Sequence, residues 1–126
     1  MKRGKVAGNG ISGHDGDGGL AVEAQLQSPA AIAIDHAGNL YIAERAGHRI
    51  RKITPRGTIS TVAGNGTAGF SGDGGAATLA QLASPRGIAV DAAGNIYVSD
   101  SDNHRIRRVT PRGVVSTIVG DGNSGF

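Results

Sequence analysis

Apolar residues along this chain come in short bursts of three or four, not in long helical stripes. In the second half, RGIAVD (86–91), NIYVSD (95–100), HRIRRVT (104–110) and VVSTIVG (114–120) are each rich in β-branched side chains. Each burst ends in turn residues: D-A-A-G-N after the first, S-D-N after the second, Pro111-Arg112-Gly113 after the third. Runs this short, bounded by turn signals, predict four short strands joined by tight turns, with apolar side chains on both faces of the sheet they form. Ahead of them lies GNGTAGFSGDGGAATLAQLASP, a long Gly-rich connection. There Ala77, Ala80 and Gln81 fall at helical spacing, which predicts a single helical turn.

The same pattern occurs twice. VAGNG at 6–10 returns at 62–66, and the offset of 56 residues also aligns GDGG, AQL, SP, AGN, HRIR, TPRG and ST. Identity holds at 33 of the 56 aligned positions, so the copies share one structure and not merely one composition. The chain divides into a basic leader (1–5), a first repeat (6–61), a second repeat (62–117) and the truncated start of a third (118–126). Four strands, tight turns and a long crossing to the next four strands describe a β-propeller blade. The expected fold class is all-β, with two four-stranded antiparallel blades per chain.

SPRGIAVDAAGNIYVSDSDNHRIRRVTPRG resembles an NHL repeat through its composite of GIAVD, GNIYV-D, NHRI and a P-x-G turn, and the resemblance spans residues 6 to 126. The signature triplet reads Asn103-His104-Arg105 here and Gly47-His48-Arg49 in the first repeat, so neither copy keeps the Leu. The resemblance implies blades of a six-bladed propeller, with IAID and IAVD nearest the axis and TISTV and VVSTI outermost. It also implies that the long connection and the SDNH loop share one face, and the DAAGN and TPRG turns the other.

Composition narrows the chemistry. With 22 Gly, only two Tyr and two Phe, and 38% apolar residues, the chain suits turns and strands. It has no Cys, which excludes disulfides and thiolate metal sites. No apolar run approaches membrane-spanning length, no h-region follows MKRGK, and the compartment is left open. The net charge of +3 invites a nucleic-acid reading, but Lys2, Arg3 and Lys5 supply an amount equal to all of it. The two repeats together carry only +1, and stacking aromatics are few, which argues against an RNA-binding face.

Candidate sites divide by whether they repeat. HDGDGG (14–19) begins like a calcium loop, with Asp15 and Asp17 in the first and third places. The fifth, sixth and twelfth places are then Gly19, Leu20 and Leu26, so the loop fails. Asp17, matched by Asp73, is expected to act as an N-cap or turn residue. Asp35 and Asp91 end the innermost strands; a channel cation there is conceivable, but an Asp-x-x-Gly turn explains them more simply. Glu44, His48 and Arg49, and in the second repeat Asp100, His104 and Arg105, are expected to form one carboxylate–His–Arg network per blade. Arg86, Arg45, Asp102 and Asn103 differ from their counterparts in the other repeat, which releases them from the blade pattern and makes them candidates to face a ligand; a solvated or salt-bridged side chain is the simpler reading of Arg86. No catalytic set, cofactor or metal is implied, although some related propellers are lyases that use zinc and calcium.

Two blades cannot close a ring, and fewer than about three repeats are rarely stable alone. The expected partner is therefore another copy of the chain: three chains giving six blades, or four giving eight. Residues 118–126 and 6–14 are the same part of the repeat, so they compete for one place at the seam. The tail is expected to take it and the head, around 1–8, to be loose. Such register suggests a piece of a longer propeller or an engineered chain. The expected role is a non-enzymatic scaffold; binding of RNA or a protein ligand on the loop face is the alternative, and a metal-dependent lyase the third.

Overall fold

The computed structural model describes Gly8, residues 16–21 and residues 24–120. Eight strands fall in two sheets: β1 (Pro29–Ile34), β2 (Leu40–Glu44), β3 (Arg49–Ile53) and β4 (Ile59–Ala63), then β5 (Pro85–Val90), β6 (Ile96–Asp100), β7 (Arg105–Val109) and β8 (Val115–Val119). Each sheet is an antiparallel meander in sequence order. These are two β-propeller blades. The bulges repeat as well: one between Pro29 and Ala31 and one between Ile50 and Arg51 recur at Pro85/Gly87 and Ile106/Arg107. A bulge conserved between copies is part of the blade's design, because it sets the bend of each sheet. The predicted helical turn is a 3-10 turn at Ala77–Leu79, and a second one, Ser101–Asn103, occupies what the sequence pattern leaves as a loop.

β1 and β5, the first strand of each blade, lie side by side, as expected of strands nearest the axis. The two rims separate as the resemblance implies. Gly38 approaches the Pro55 ring and Gly94 the Pro111 ring, which places the DAAGN-type and TPRG turns together. On the opposite rim, Asp102 N donates to Ala83 O at 3.1 Å, joining the SDNH loop to the end of the long connection.

Strand alternation gives each blade two faces. The downstream face of blade 1 (Tyr41, Ala43, Ile50 and Ala63) packs on the upstream face of blade 2 (Ile96, Val98, Val109 and Val115), with Ala77, Ala80 and Leu82 of the connection between them. Among the described residues, the upstream face of blade 1 is covered by the segment before it, through Ala21, Ala24 and Leu26 against Ile42, Ile53 and Ile59. Burial of this size is the main force holding blade to blade.

Candidate functional site

The most constrained chemistry in the molecule is a buried arginine in each blade. Arg107 on β7 and Arg51 on β3 have no solvent exposure, and each lies under the connection that leads into its blade. Arg107 donates from Nη1 to Asp100 at 3.0 Å and to Gln81 O at 3.1 Å, from Nη2 to Ser71 O at 2.9 Å, and from Nε to Asp73 at 3.1 Å. Its guanidinium carbon sits 4.6 Å from the Phe70 ring centroid, while that of Arg105 lies 3.8 Å from the same centroid. Arg51 repeats the plan: Asp17 at 2.8 Å, Glu44 at 3.3 and 3.4 Å, and Gln25 O at 3.0 Å. Five donors in a planar fork can join a strand carboxylate, a connection carboxylate and main-chain carbonyls at once, which a lysine cannot.

This geometry corrects the expected network. Its arginine is the one two residues later, Arg51 or Arg107, not Arg49 or Arg105. Strand alternation puts both on the same face as the carboxylate, but Arg51 lies deeper, beneath the connection. Arg49, at the strand start, reaches outward to Asn65 O at 3.2 Å. The histidines also depart from the expectation. His48 and His104 adopt the left-handed conformation, with φ of 52° and 54°. His48 Nδ1 accepts from Ser84 N at 2.9 Å, so it braces blade 1 to the start of blade 2 and does not bond to Glu44. Asp17 and Asp73 serve as partners of the buried arginine; the 3-10 turn at Ala77 has no side-chain cap. Asp15 lies outside the described residues.

Differences between the repeats prove to be compensating. Glu44 accepts from Gln27 N at 2.8 Å and fills its place alone. A Cβ on Gly47 would lie 3.1 Å from the Glu44 side chain and 3.2 Å from that of Gln27, a contact tight enough to favour the glycine there. Asp100, one methylene shorter, accepts from Ala83 N at 2.7 Å and leaves a gap. Asn103 fills it, with Nδ2 at 2.8 Å from Asp100 and 2.7 Å from Gly69 O. Asn103 is therefore an internal brace and not a ligand-facing residue. Arg45, Arg86 and Asp102 are exposed, as a loop-face role requires. Burial pushes the Glu44 carboxyl above its ordinary value, against the pull of the Gln27 amide and the Arg51 charge.

Asp35 and Asp91 hold their turns. Asn39 N and Asn95 N each donate to them at 2.9 Å, as do the Tyr41 and Tyr97 hydroxyls. Bonds from Asn95 hold Asp91 down at about 2, whereas burial followed by the Asp35 bond pushes Tyr41 up to about 12. Burial works against Asp35, but the Asn39 and Tyr41 bonds outweigh it and its pKa is lowered. A cavity of about 270 Å³ between these two turns is lined by Ile34, His36, Val90 and both aspartates. A larger one, about 400 Å³, opens between the blades beside Tyr41, Lys52, Ile96 and Arg112. Among the described residues no group of three or more His, Cys, Asp or Glu is arranged to hold a metal, and no helix is long and apolar enough to cross a membrane.

With two such blades in place, the sequence matches the Teneurin NHL domain family over residues 4–70 and again over 65–124. The chain belongs to this family. It is 38% identical to mouse teneurin-1 over 104 residues, covering 72% of this chain and 4% of that protein. It is 43% identical to human teneurin-4 over 101 residues, covering 70% of this chain and again 4% of the relative. The chain thus spans a small fraction of the length of these proteins. Among solved structures it superposes on a Bacteroides thetaiotaomicron protein of unknown function with a TM-score of 0.59 and 31% identity, covering 67% of this chain and 21% of that one. The NHL-repeat reading of the sequence agrees with these matches.

Proposed function

We propose that this NHL module is a non-enzymatic structural unit whose two open blade faces bind second copies of the chain, closing a six-bladed ring from three chains. One observation carries the reading: positions that are covered between the two blades are bare at the outer faces. Ile88 and Val90 pack into the interblade core, but their counterparts Ile32 and Ile34 are 60% and 63% exposed. Val62 and Ala63 pack in the same core, while Ile118 and Val119 are 43% and 45% exposed. Bare β-branched side chains on both ends of a stack call for a further blade at each end. An upstream face and a downstream face on one chain form a head-to-tail contact, which closes by rotation. The scaffold part of the reading is supported by the duplicated charged groups: each buried arginine and its carboxylates are occupied in bonds that tie a blade to its connection.

Sedimentation equilibrium between about 1 and 100 μM tests this. A three-chain mass is expected. A mass of one chain throughout would refute the ring, and a four-chain mass would replace it with an eight-bladed one.

A further inference from the structure

The bonds that stitch blade 1 to blade 2 have half-made copies at the outer faces. Within the chain, Gly64 N donates to Ala77 O at 2.9 Å, and Ser84 N donates to His48 Nδ1 at 2.9 Å. Shifted by one repeat, the same roles fall on Gly120 N with Ala21 O, and on Ser28 N with His104 Nδ1. Gly120 and His104 lie at the downstream face, Ala21 and Ser28 at the upstream face. Both pairs keep the backbone the stitch needs. Ser28 and Ser84 share φ of 50° and 53°, His48 and His104 share 52° and 54°, and Gly64 and Gly120 share 86° and 94°. Among the described residues His104 Nδ1, Ser28 N and Gly120 N make no hydrogen bond with one another or with any other group.

Ala21 O is the exception, because Gly8 N occupies it at 2.8 Å. Gly8 is the counterpart of Gly64 and Gly120, and its φ of 90° matches theirs. One chain therefore fills, with its own head, the place that the tail of a neighbour would take. The head was expected to be loose; at Gly8 it is instead bonded to the upstream face.

We infer that a second copy of this chain docks its downstream face on the upstream face of the first through a His104–Ser28 brace, and that the segment at Gly8 is a placeholder which Gly120 of the incoming copy displaces. The inference rests on the self-assembly reading and specifies its seam. Its occupant is a second copy because the acceptor left open on one face, His104 Nδ1, is the complement of the donor left open on the other, Ser28 N, and Gly120 N matches the place that Gly8 N fills. They also continue, residue for residue, the interface already present inside the chain. The placeholder has a consequence: every seam formed exchanges one backbone bond for an equivalent one. Association is then driven by the apolar contacts and the histidine brace, not by the Gly120 bond.

Two full-length variants separate these parts. H104G removes the acceptor at a left-handed position where glycine adopts the backbone freely. It is expected to weaken each seam about fivefold, the effect of one net hydrogen bond, and three seams compound this to roughly a hundredfold in the trimer constant. G8P removes the donor to Ala21 and cannot adopt a φ of 90°. It is expected to tighten association by about fivefold. Sedimentation of the native chain and both variants, with circular dichroism to confirm equal folding, reads the result. Assembly with unchanged constants in H104G overturns the brace, and unchanged constants in G8P overturn the placeholder, while the ring reading stands in both cases. A single-chain mass of the native chain throughout overturns the ring reading itself.

Discussion

Replacing Arg107 with methionine isolates what the buried arginine contributes to stability. Methionine keeps much of the volume against Phe70 but removes every donor. Asp100, which is fully buried, would keep only Ala83 N and the Asn103 amide. The carbonyls of Gln81 and Ser71 would lose this donor, and Asp73 its charge partner. Breaking a buried ion pair by removing one member costs about 3–5 kcal/mol, chiefly through the charge left behind. The carbonyl losses place R107M toward the middle or top of that range, about 4 kcal/mol. For a domain of this size that lowers the Tm by about 12 °C or more. Urea unfolding followed by circular dichroism measures the loss, at one fixed protein concentration because association adds to apparent stability. Adding D100N to R107M neutralises the stranded carboxylate while keeping an oxygen for Ala83 N, and is expected to recover about half of the loss. R51M is expected to cost less than R107M. Arg51 Nε is buried with no partner among the described residues, and its bonds to Glu44 are longer than that of Arg107 to Asp100. A loss below about 1 kcal/mol for R107M, or no recovery with D100N, would refute this account of the network.

Two further outcomes follow from local geometry. Gly57 and Gly64 have nearly the same φ, 84° and 86°, but a Cβ on Gly57 meets nothing within 4 Å, whereas one on Gly64 would sit 2.2 Å from His48 O. G57A is expected to cost about 1 kcal/mol, the penalty of a left-handed alanine, and G64A several times more by thermal melting; equal losses would contradict the reading of Gly64 as a close backbone approach. Tyr41, pushed up to about 12, stabilises the fold in its protonated form, fully so below the ordinary value near 10 and not at all once the pH has risen through 12. Absorbance titration of Y97F, which leaves Tyr41 as the sole tyrosine, is expected to show ionisation near 12 in the folded chain; a midpoint near 10 would show that neither the burial of Tyr41 nor its bond to Asp35 holds in solution.

Much of the blade was legible because its causes are local. Alternation such as RIRKI and RIRRV, with Asp-x-x-Gly and Pro-x-Gly turns, places strand ends within about a residue, since turn chemistry and the two-residue period act over a few positions. The turn roles of Asp35 and Asp91 follow from the same short range. Which arginine carries the network did not. Arg49 and Arg51 are both basic, share one face and stand beside the same carboxylate, and only the path of the connection over β3 buries one and leaves the other at the rim. The pairing of Glu44 with Gly47 and of Asp100 with Asn103 was likewise hidden, because it is a matching of side-chain length to a gap of one methylene.

The amino-acid sequence by itself determined that the chain is two copies of one four-stranded unit, with apolar residues on both faces of each sheet. Those properties depend on period and identity along the chain. The tertiary structure alone decided which apolar residues are covered and which are bare, and it put His48 against Ser84 and Gly8 against Ala21. The reason is physical: burial and hydrogen bonding across blades depend on distances between segments tens of residues apart, and no local pattern encodes those distances. Equivalent residues thus pack at one interface and stand in solvent at the next, according to whether another blade stands beside them.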